Sequence, residues 1–188
     1  MEDKALEILR TMLARRGLDT KTERVVSEDL ERVNLYTIGG VLVIFSQKDK
    51  GLVERDIRNF VAFAEGNSYT NGVVIVALSA PSENVSKVVK SFAKDRVQFF
   101  HIRQLQFDIT THRMAIPHRL LKEDEKTALF KKFKITNPAQ QIPSIDSQDT
   151  MSKWIGAVPG DIVEITRHSD VGGTVLYHRY CVEDVNVV

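Results

Sequence analysis

The sequence predicts a two-domain protein. An amino-terminal α/β domain spans residues 1–108, with a small, mainly parallel sheet and crossover helices, and a smaller α+β domain spans residues 109–188. Three observations carry this reading. Val41-Leu42-Val43-Ile44-Phe45 and Val73-Val74-Ile75-Val76-Ala77-Leu78 are short, unbroken apolar runs, the composition of strands covered on both faces. An amphipathic stretch joins them, as a parallel pair requires. After residue 107 the punctuation changes, because Pro117, Pro138, Pro143 and Pro159 all fall there among shorter elements.

In chain order, Leu6, Leu9 and Leu13 recur at helical spacing before Gly17, which predicts a helix near residues 3–16. A weaker helical pattern runs through Val26, Leu30 and Val33. Gly39-Gly40 and Asn71-Gly72 precede the two apolar strands. Between the strands, Val53, Ile57, Phe60, Val61 and Ala64 form a helical stripe, with Glu54 and Arg58 able to pair one turn apart. Pro81-Ser82-Glu83 then supplies a proline, a capping hydroxyl and an acid ahead of Val85, Val88, Val89 and Phe92, and a third strand fits Val97-Gln98-Phe99-Phe100.

In the carboxy-terminal part, one helix places Leu129 and Phe133 inward and Lys131-Lys132 outward. Asp149 caps a short helix carrying Met151, Trp154 and Ile155, which Gly156 closes. Val158-Pro159-Gly160-Asp161 has the residue order of a type II turn. Strands are expected at residues 161–167 and 175–182, joined by a loop containing Gly172-Gly173.

Composition narrows the function classes. Of 188 residues, 43% are apolar and 27% charged, with 26 Lys+Arg against 25 Asp+Glu, a folded and near-neutral chain. Residues 116–188 carry 9 basic and 10 acidic side chains. Such balance argues against tight autonomous DNA binding while leaving room for a local cationic stripe. The lone Cys181 cannot form an internal disulfide, and no apolar run reaches the ~20 residues of a membrane span. Neither secretion nor insertion is indicated.

Chemistry-bearing patterns are sparse. His112 and His118 flank a proline at a spacing that fits no zinc pattern, and His101, His168 and His178 read as strand or loop residues, so no metal site and no cofactor is expected. A metal-dependent nuclease or DNA-repair enzyme on the amino-terminal layer is the rival reading. Such a site needs carboxylates at strand ends, and the runs at 41–45 and 73–78 contain none. There is no Ser/His/Asp order, phosphate-cradling glycine loop or dinucleotide fingerprint. No catalytic residue is therefore assigned. Lys87, Lys90 and Lys94 lie opposite the apolar stripe of the second crossover helix, either as a solvated face or as a phosphate-facing rail that Pro81-Ser82 would extend. Trp154 with Met151 and Ile155 is a docking knob or plain core. The last strand, with Tyr177, Arg179 and Tyr180, is an interface candidate through a free edge.

Longer patterns go further. Ile109-Thr110-Thr111-His112 with His118, Phe133-Lys134-Ile135, Ile142-Pro143-Ser144-Ile145, Asp149, Trp154-Ile155-Gly156, Gly160-Asp161-Ile162-Val163-Glu164-Ile165, Arg167 with Ser169, then Gly173 and Arg179 follow one another in order. Together, from Phe107 to Cys181, they resemble the carboxy-terminal domain of the fifth-largest subunit of eukaryotic DNA-directed RNA polymerase II, shared by polymerases I and III and carried by archaeal RNA polymerases in a form without the amino-terminal domain. Departures are Thr150 in place of a proline, His168 before Ser169, Pro117 one place nearer His118, and two extra residues between Ile135 and Ile142. The amino-terminal likeness is looser and rests on Arg16-Gly17, Thr70-Asn71-Gly72 and Pro81-Ser82. A jaw of this length resembles the eukaryotic form, trimmed around residues 33–39, as in a compact eukaryotic parasite or a large DNA virus.

The resemblance implies a non-catalytic polymerase subunit, or a free-standing transcription adaptor that borrowed the same domain. The carboxy-terminal domain would dock on the largest subunit and the amino-terminal jaw would flank downstream double-stranded DNA. Polymerisation and its Mg²⁺ would belong to the large subunits, and the location would be the nucleus, or the cytoplasm or virion for a viral form. Pro81, Ser82, Lys87, Lys90 and Lys94 become DNA-side candidates, and Ile142, Pro143, Ile145, Trp154, Arg167 and Arg179 docking candidates.

Overall fold

The structure, a computed structural model, describes residues 1–27, 30–48, 51–169 and 173–185, with Ser169 described by its backbone alone. The chain divides into two compact units, Met1–Asp108 and Ile109–Val188. Both combine helices with a sheet.

The amino-terminal unit begins with α1 (Glu2–Arg15), followed by β1 (Thr22–Val25), β2 (Val33–Ile38) and β3 (Val41–Ser46). Next come α2 (Glu54–Gly66), β4 (Val73–Ala77), α3 (Glu83–Ser91) and β5 (Val97–His101), with short 3₁₀ turns at Ala93–Asp95 and Ile102–Leu105. The sheet order is β1-β2-β3-β4-β5. Strands β3, β4 and β5 are parallel, but β1, β2 and β3 form an antiparallel meander, so the sheet is mixed and not mainly parallel. Of the weak helical pattern through Val26, Leu30 and Val33, Val33 opens β2 and Val26 and Leu30 are not helical, while residues 28 and 29 lie outside the described residues. Gly39 and Gly40 both have positive φ, +56° and +78°, the backbone of a primed two-residue hairpin turn. That turn pairs Ile38 with Val41 and zips Val33–Ile38 onto β3.

Strands β3 and β4 are buried along their whole length, as their unbroken apolar runs imply. Alternate residues serve different faces. Leu42, Ile44, Ile75, Val97 and Phe99 share one continuous cluster with Ile57, Phe60 and Val61 of α2 and Val85, Val88 and Val89 of α3. Each such side chain, fully buried, contributes about 1.5–3 kcal/mol by area removed from water. Strand residues of opposite parity face α1. There Arg16 donates to Gln98 on β5 at 2.8 Å, and Glu2 accepts from Asn34 and Tyr36 on β2 at 3.0 Å. Burial, and then the neighbouring Arg96 charge, pull Arg16 down to about 10.

The carboxy-terminal unit contains β6 (His118–Leu120), α4 (Glu123–Phe133), α5 (Pro138–Gln141), β7 (Ser144–Asp146), α6 (Thr150–Ile155), β8 (Ile162–Ser169) and β9 (Gly173–Val182). Its sheet order is β6-β8-β9-β7. The short helix forms where its caps dictate: the Asp149 carboxylate accepts from the N–H groups of Met151 and Ser152, and Gly156 ends it at φ +75°. Asp161 closes the Val158–Asp161 turn, donating its N–H to the Val158 carbonyl at 3.0 Å and accepting the Val158 N–H on its carboxylate at 3.0 Å.

Two expectations fail here, the second only in part. Phe133 is 59% exposed instead of inward. Lys134 adopts a left-handed conformation, φ +54°, and its turn returns Ile135 to bond the Phe130 carbonyl. Ile135 joins Leu129 and Phe130 against Leu121, Ile142 and Ile162, so it fills the place that helical periodicity assigned to Phe133. The free edge expected of the last strand holds only in part: residues 173–179, with Tyr177 and Arg179, pair with β8 alone, but Tyr180 does not. The strand's end is sandwiched, because Ser144, Ile145 and Asp146 pair in parallel with Tyr180, Cys181 and Val182 while β8 holds the other side. The loop residue Gly172 and the Ser169 side chain lie outside the described residues.

Candidate functional site

Polar order in the amino-terminal unit gathers at the carboxyl ends of the parallel strands. Ser82 caps α3, its hydroxyl accepting the Val85 N–H at 3.4 Å, and Pro81 and Ser82 are both exposed. The preceding crossover is pinned by Asp56, whose carboxylate accepts the Val53 N–H at 3.1 Å and pairs with Lys48 at 2.7 Å. Glu54 and Arg58 pair at 2.7 Å on the wet side of α2. An exposed helix start of this kind orients backbone N–H groups toward solvent, where an anion is favoured.

The lysine rail is not one stripe. Lys87 is exposed and bridges to Glu83 at 2.7 Å, an interaction that holds the Glu83 carboxyl below the usual carboxylate range. Lys90 is half-buried on the same helix. Helix α3 ends at Ser91, so Lys94 sits on the following 3₁₀ turn. There it borders a cleft of about 530 Å³ with Tyr69, Thr70 and Arg96, floored by Val61 and Val97. Lys94 and Pro81-Ser82 therefore stand at opposite ends of α3, which at 1.5 Å per residue separates them by ~13 Å. Periodicity gave Lys94 its offset from Lys90. Phe92, capping the helix at ψ +17°, ended the regular geometry first.

In the carboxy-terminal unit the six docking candidates divide. Ile142 and Trp154 are buried, at 6% and 2% exposure, and belong to the interior. Ile145 is half-buried against Ala157, Val163, Ile165 and Cys181. Arg179 donates to the Ser144 carbonyl at 2.9 Å and so ties β7 to β9. Pro143 and Arg167 are exposed, with the Arg167 guanidinium 5.1 Å from the Tyr177 ring centre. Sequence reasoning singled out Tyr177 on this strand but missed Val175 and Leu176 next to it. Val175, Leu176 and Tyr177 are 37%, 52% and 48% exposed, on the part of β9 that no residue of β7 reaches. The uninterrupted Val175-Leu176-Tyr177 run, without the alternation of a half-buried strand, was the available signal.

A charged row crosses the same sheet. Arg119 on β6 stands opposite Glu164 on β8, which stands opposite His178 on β9. Arg119 donates to Glu164 at 2.7 Å and to Glu125 at 2.9 Å, and His178 Nε2 lies 3.4 Å from Glu164. The hydrogen bond from Arg119 holds Glu125 below the usual carboxylate range. Burial pulls Lys153 down to about 8 and pushes the Cys181 thiol up to about 12, which leaves that thiol protonated and unreactive at neutral pH. Among the described residues, no three His, Cys, Asp or Glu side chains are grouped to hold a metal ion, and no helix is long and apolar enough to cross a membrane.

Comparison with known proteins locates this arrangement. Residues 107–181 match the family described as RNA polymerase Rpb5, C-terminal domain. The chain is 48% identical to DNA-directed RNA polymerase subunit Rpo5 of Pyrococcus horikoshii over 79 residues, 42% of this chain and 94% of that one. It is 37% identical to the Methanosarcina acetivorans Rpo5 over 78 residues, 42% of this chain and 97% of that one. It is also similar to DNA-directed RNA polymerase V subunit 5A of Arabidopsis thaliana, 28% identical over 115 residues, 61% of this chain and 50% of that one. That stretch is longer than the carboxy-terminal unit and so reaches into the amino-terminal one.

Proposed function

Because the chain belongs to the family of RNA polymerase subunits named Rpb5 and Rpo5, we propose that it is a non-catalytic subunit of a multisubunit DNA-directed RNA polymerase. One observation carries the reading: the carboxy-terminal unit corresponds to nearly the whole length of archaeal relatives that are themselves polymerase subunits. This unit docks on the largest subunit. Its exposed Val175 and Tyr177 share a strand face with Arg167, Leu176 lies on the other face of the same ribbon, and Pro143 is exposed before β7, side chains suited to contact with another polypeptide. Ile142 and Trp154 contribute from the interior, while Ile145 and Arg179 hold β7 in place.

The amino-terminal unit serves as the jaw beside downstream double-stranded DNA, with the α3 start at Pro81-Ser82 and Lys87 nearest the phosphates, Lys90 behind them and Lys94 at the far end. A near-neutral chain suffices for this task. Tethering to the polymerase raises the effective concentration of a few cations near DNA, so no large basic excess is needed. Polymerisation chemistry and its metal ions stay with the large subunits, and the protein works where its polymerase works, in a nucleus for a cellular eukaryotic enzyme.

Affinity purification of the chain at its native level tests the proposal. Recovery in equal proportion with the two largest polymerase chains is expected. Recovery as a solitary protein, or Mg²⁺-dependent cleavage of DNA that disappears when one carboxylate is changed, would overturn it.

A further inference from the structure

The carboxyl end of α4 has a composition that neither folding nor the docking surface uses. Residues 126–145 contain four lysines and no acid, in a chain where acids otherwise number 25 in 188 residues. Lys126 is spoken for, bridging Glu123 at 2.7 Å and Asp161 at 3.1 Å. Lys131, Lys132 and Lys134 are all exposed, and no carboxylate pairs with them among the described residues. Cations in a last helical turn complement the helix dipole, which accounts for some of this charge. It does not account for Phe133, which stands 59% exposed in their midst with the Lys132 ammonium 5.3 Å from its ring centre. The left-handed turn at Lys134 keeps that ring out of the core, since Ile135 occupies the inward place.

We propose that Lys131, Lys132, Phe133 and Lys134 form a contact site for single-stranded nucleic acid, with Phe133 stacking on an unpaired base and the lysines meeting the flanking phosphates. Sequence-tolerant single-strand binding has this pairing of an exposed aromatic face with unneutralised cations. Residues 126–145 bring no carboxylate of their own to repel a polyanion, the acids of α4 being confined to its first turn. A duplex keeps its bases inside the stack and offers the ring nothing to cover, so the site discriminates by strandedness. An acid-rich peptide would satisfy the lysines yet gain little from an aromatic platform.

Fluorescence anisotropy of labelled oligo(dT) and oligo(U) with the full chain at low salt provides the test. Saturable binding is expected, weakening with salt at a log–log slope of roughly −2, the value for about three phosphate contacts on a single strand. Phe133→Ala should weaken it by roughly tenfold, from the loss of one stacked base. Phe133→Trp should retain it, and Lys131→Glu with Lys132→Glu and Lys134→Glu should abolish it. All four side chains are exposed, so a thermal melt should show these variants folded. Lys87→Glu with Lys90→Glu on α3 should leave single-strand binding unchanged, which separates this site from the jaw surface. The proposal is overturned by absence of saturable binding to the wild-type chain, by unchanged binding of the folded Phe133→Ala and triple-lysine variants, by duplex binding of equal strength, or by displacement with polyglutamate as effective as displacement with unlabelled oligo(dT).

Discussion

The two units hold themselves together by different means. In the amino-terminal unit one continuous apolar cluster runs under α2 and α3, and the buried polar side chains among the described residues are Ser46 and Gln98. In the carboxy-terminal unit the interior divides into two small clusters, around Val163 and around Ile162, while Ser147, Ser152, Lys153 and Glu164 are buried beside them. The first unit rests mainly on apolar area removed from water. The second depends on cross-strand charges, caps and turns, and leaves Val175, Leu176 and Tyr177 in water. A domain with that balance gains most when another surface covers it.

Four measurements test this contrast, the largest effect first. Ile75→Ala removes a side chain at 0% exposure from the middle of the continuous cluster, and should cost the amino-terminal unit about 3–4 kcal/mol in urea unfolding. A loss under about 1 kcal/mol would mean that this core relaxes around the gap and is not the organising element.

Lys153 should give the carboxy-terminal unit a pH dependence that sets in near pH 8, below the range in which the buried Arg16 of the other unit begins to titrate, near 10. Its folded value of about 8 lies below its ordinary 10.5. Between these limits the unfolded chain holds a proton that the folded one has released, so stability rises with pH across that window by up to ~3 kcal/mol. Below pH 8 the lysine is charged in both states and its burial is unfavourable in full. Unfolding at pH 7.5 and at pH ~10, compared with Lys153→Met, should therefore show the wild type gaining on the variant. A constant difference would place the ammonium in water.

Arg119→Met strips Glu164 of its closest cation, and with the Glu164 side chain at 10% exposure should cost about 2 kcal/mol. Suppression of that loss by a second change, Glu164→Gln, would confirm that the penalty is the stranded carboxylate. Asp149→Ala removes the α6 cap and should cost about 1 kcal/mol, read as an earlier thermal transition of the carboxy-terminal unit alone.

What could be read from the sequence follows the same divide. The helices of the amino-terminal unit were visible because their stripes are regular and their ends carry chemical markers, Gly17 after α1 and Ser82 before α3. Strand β2 was obscured: Val33 continued a helical spacing, and the deciding contact, Ile38 with Val41, is a pairing that no local periodicity reports. The α6 cap and the Val158–Asp161 turn were legible because side chains act there on their own neighbours. Phe133 was misplaced because a single left-handed residue, Lys134, exchanged it with Ile135. Surface sites fared worst. Lys87, Lys90 and Lys94 share an offset but not an element, and the exposure of Leu176 and Tyr177 depends on β7 being three residues long.

The strand order β6-β8-β9-β7 bears on biosynthesis. As the polypeptide leaves the ribosome, residues 1–108 acquire every strand of their own sheet and can fold at once, domain by domain. The other sheet must wait. Its latest strand to be made, β9, lies between two earlier ones, so β7 has nothing to pair with until Tyr180, Cys181 and Val182 have emerged. A chain cut short before residue 180 would thus carry every strand of the first sheet and an open second one, with Ile145 and Ile165 lacking the Cys181 end of β9 that completes their cluster.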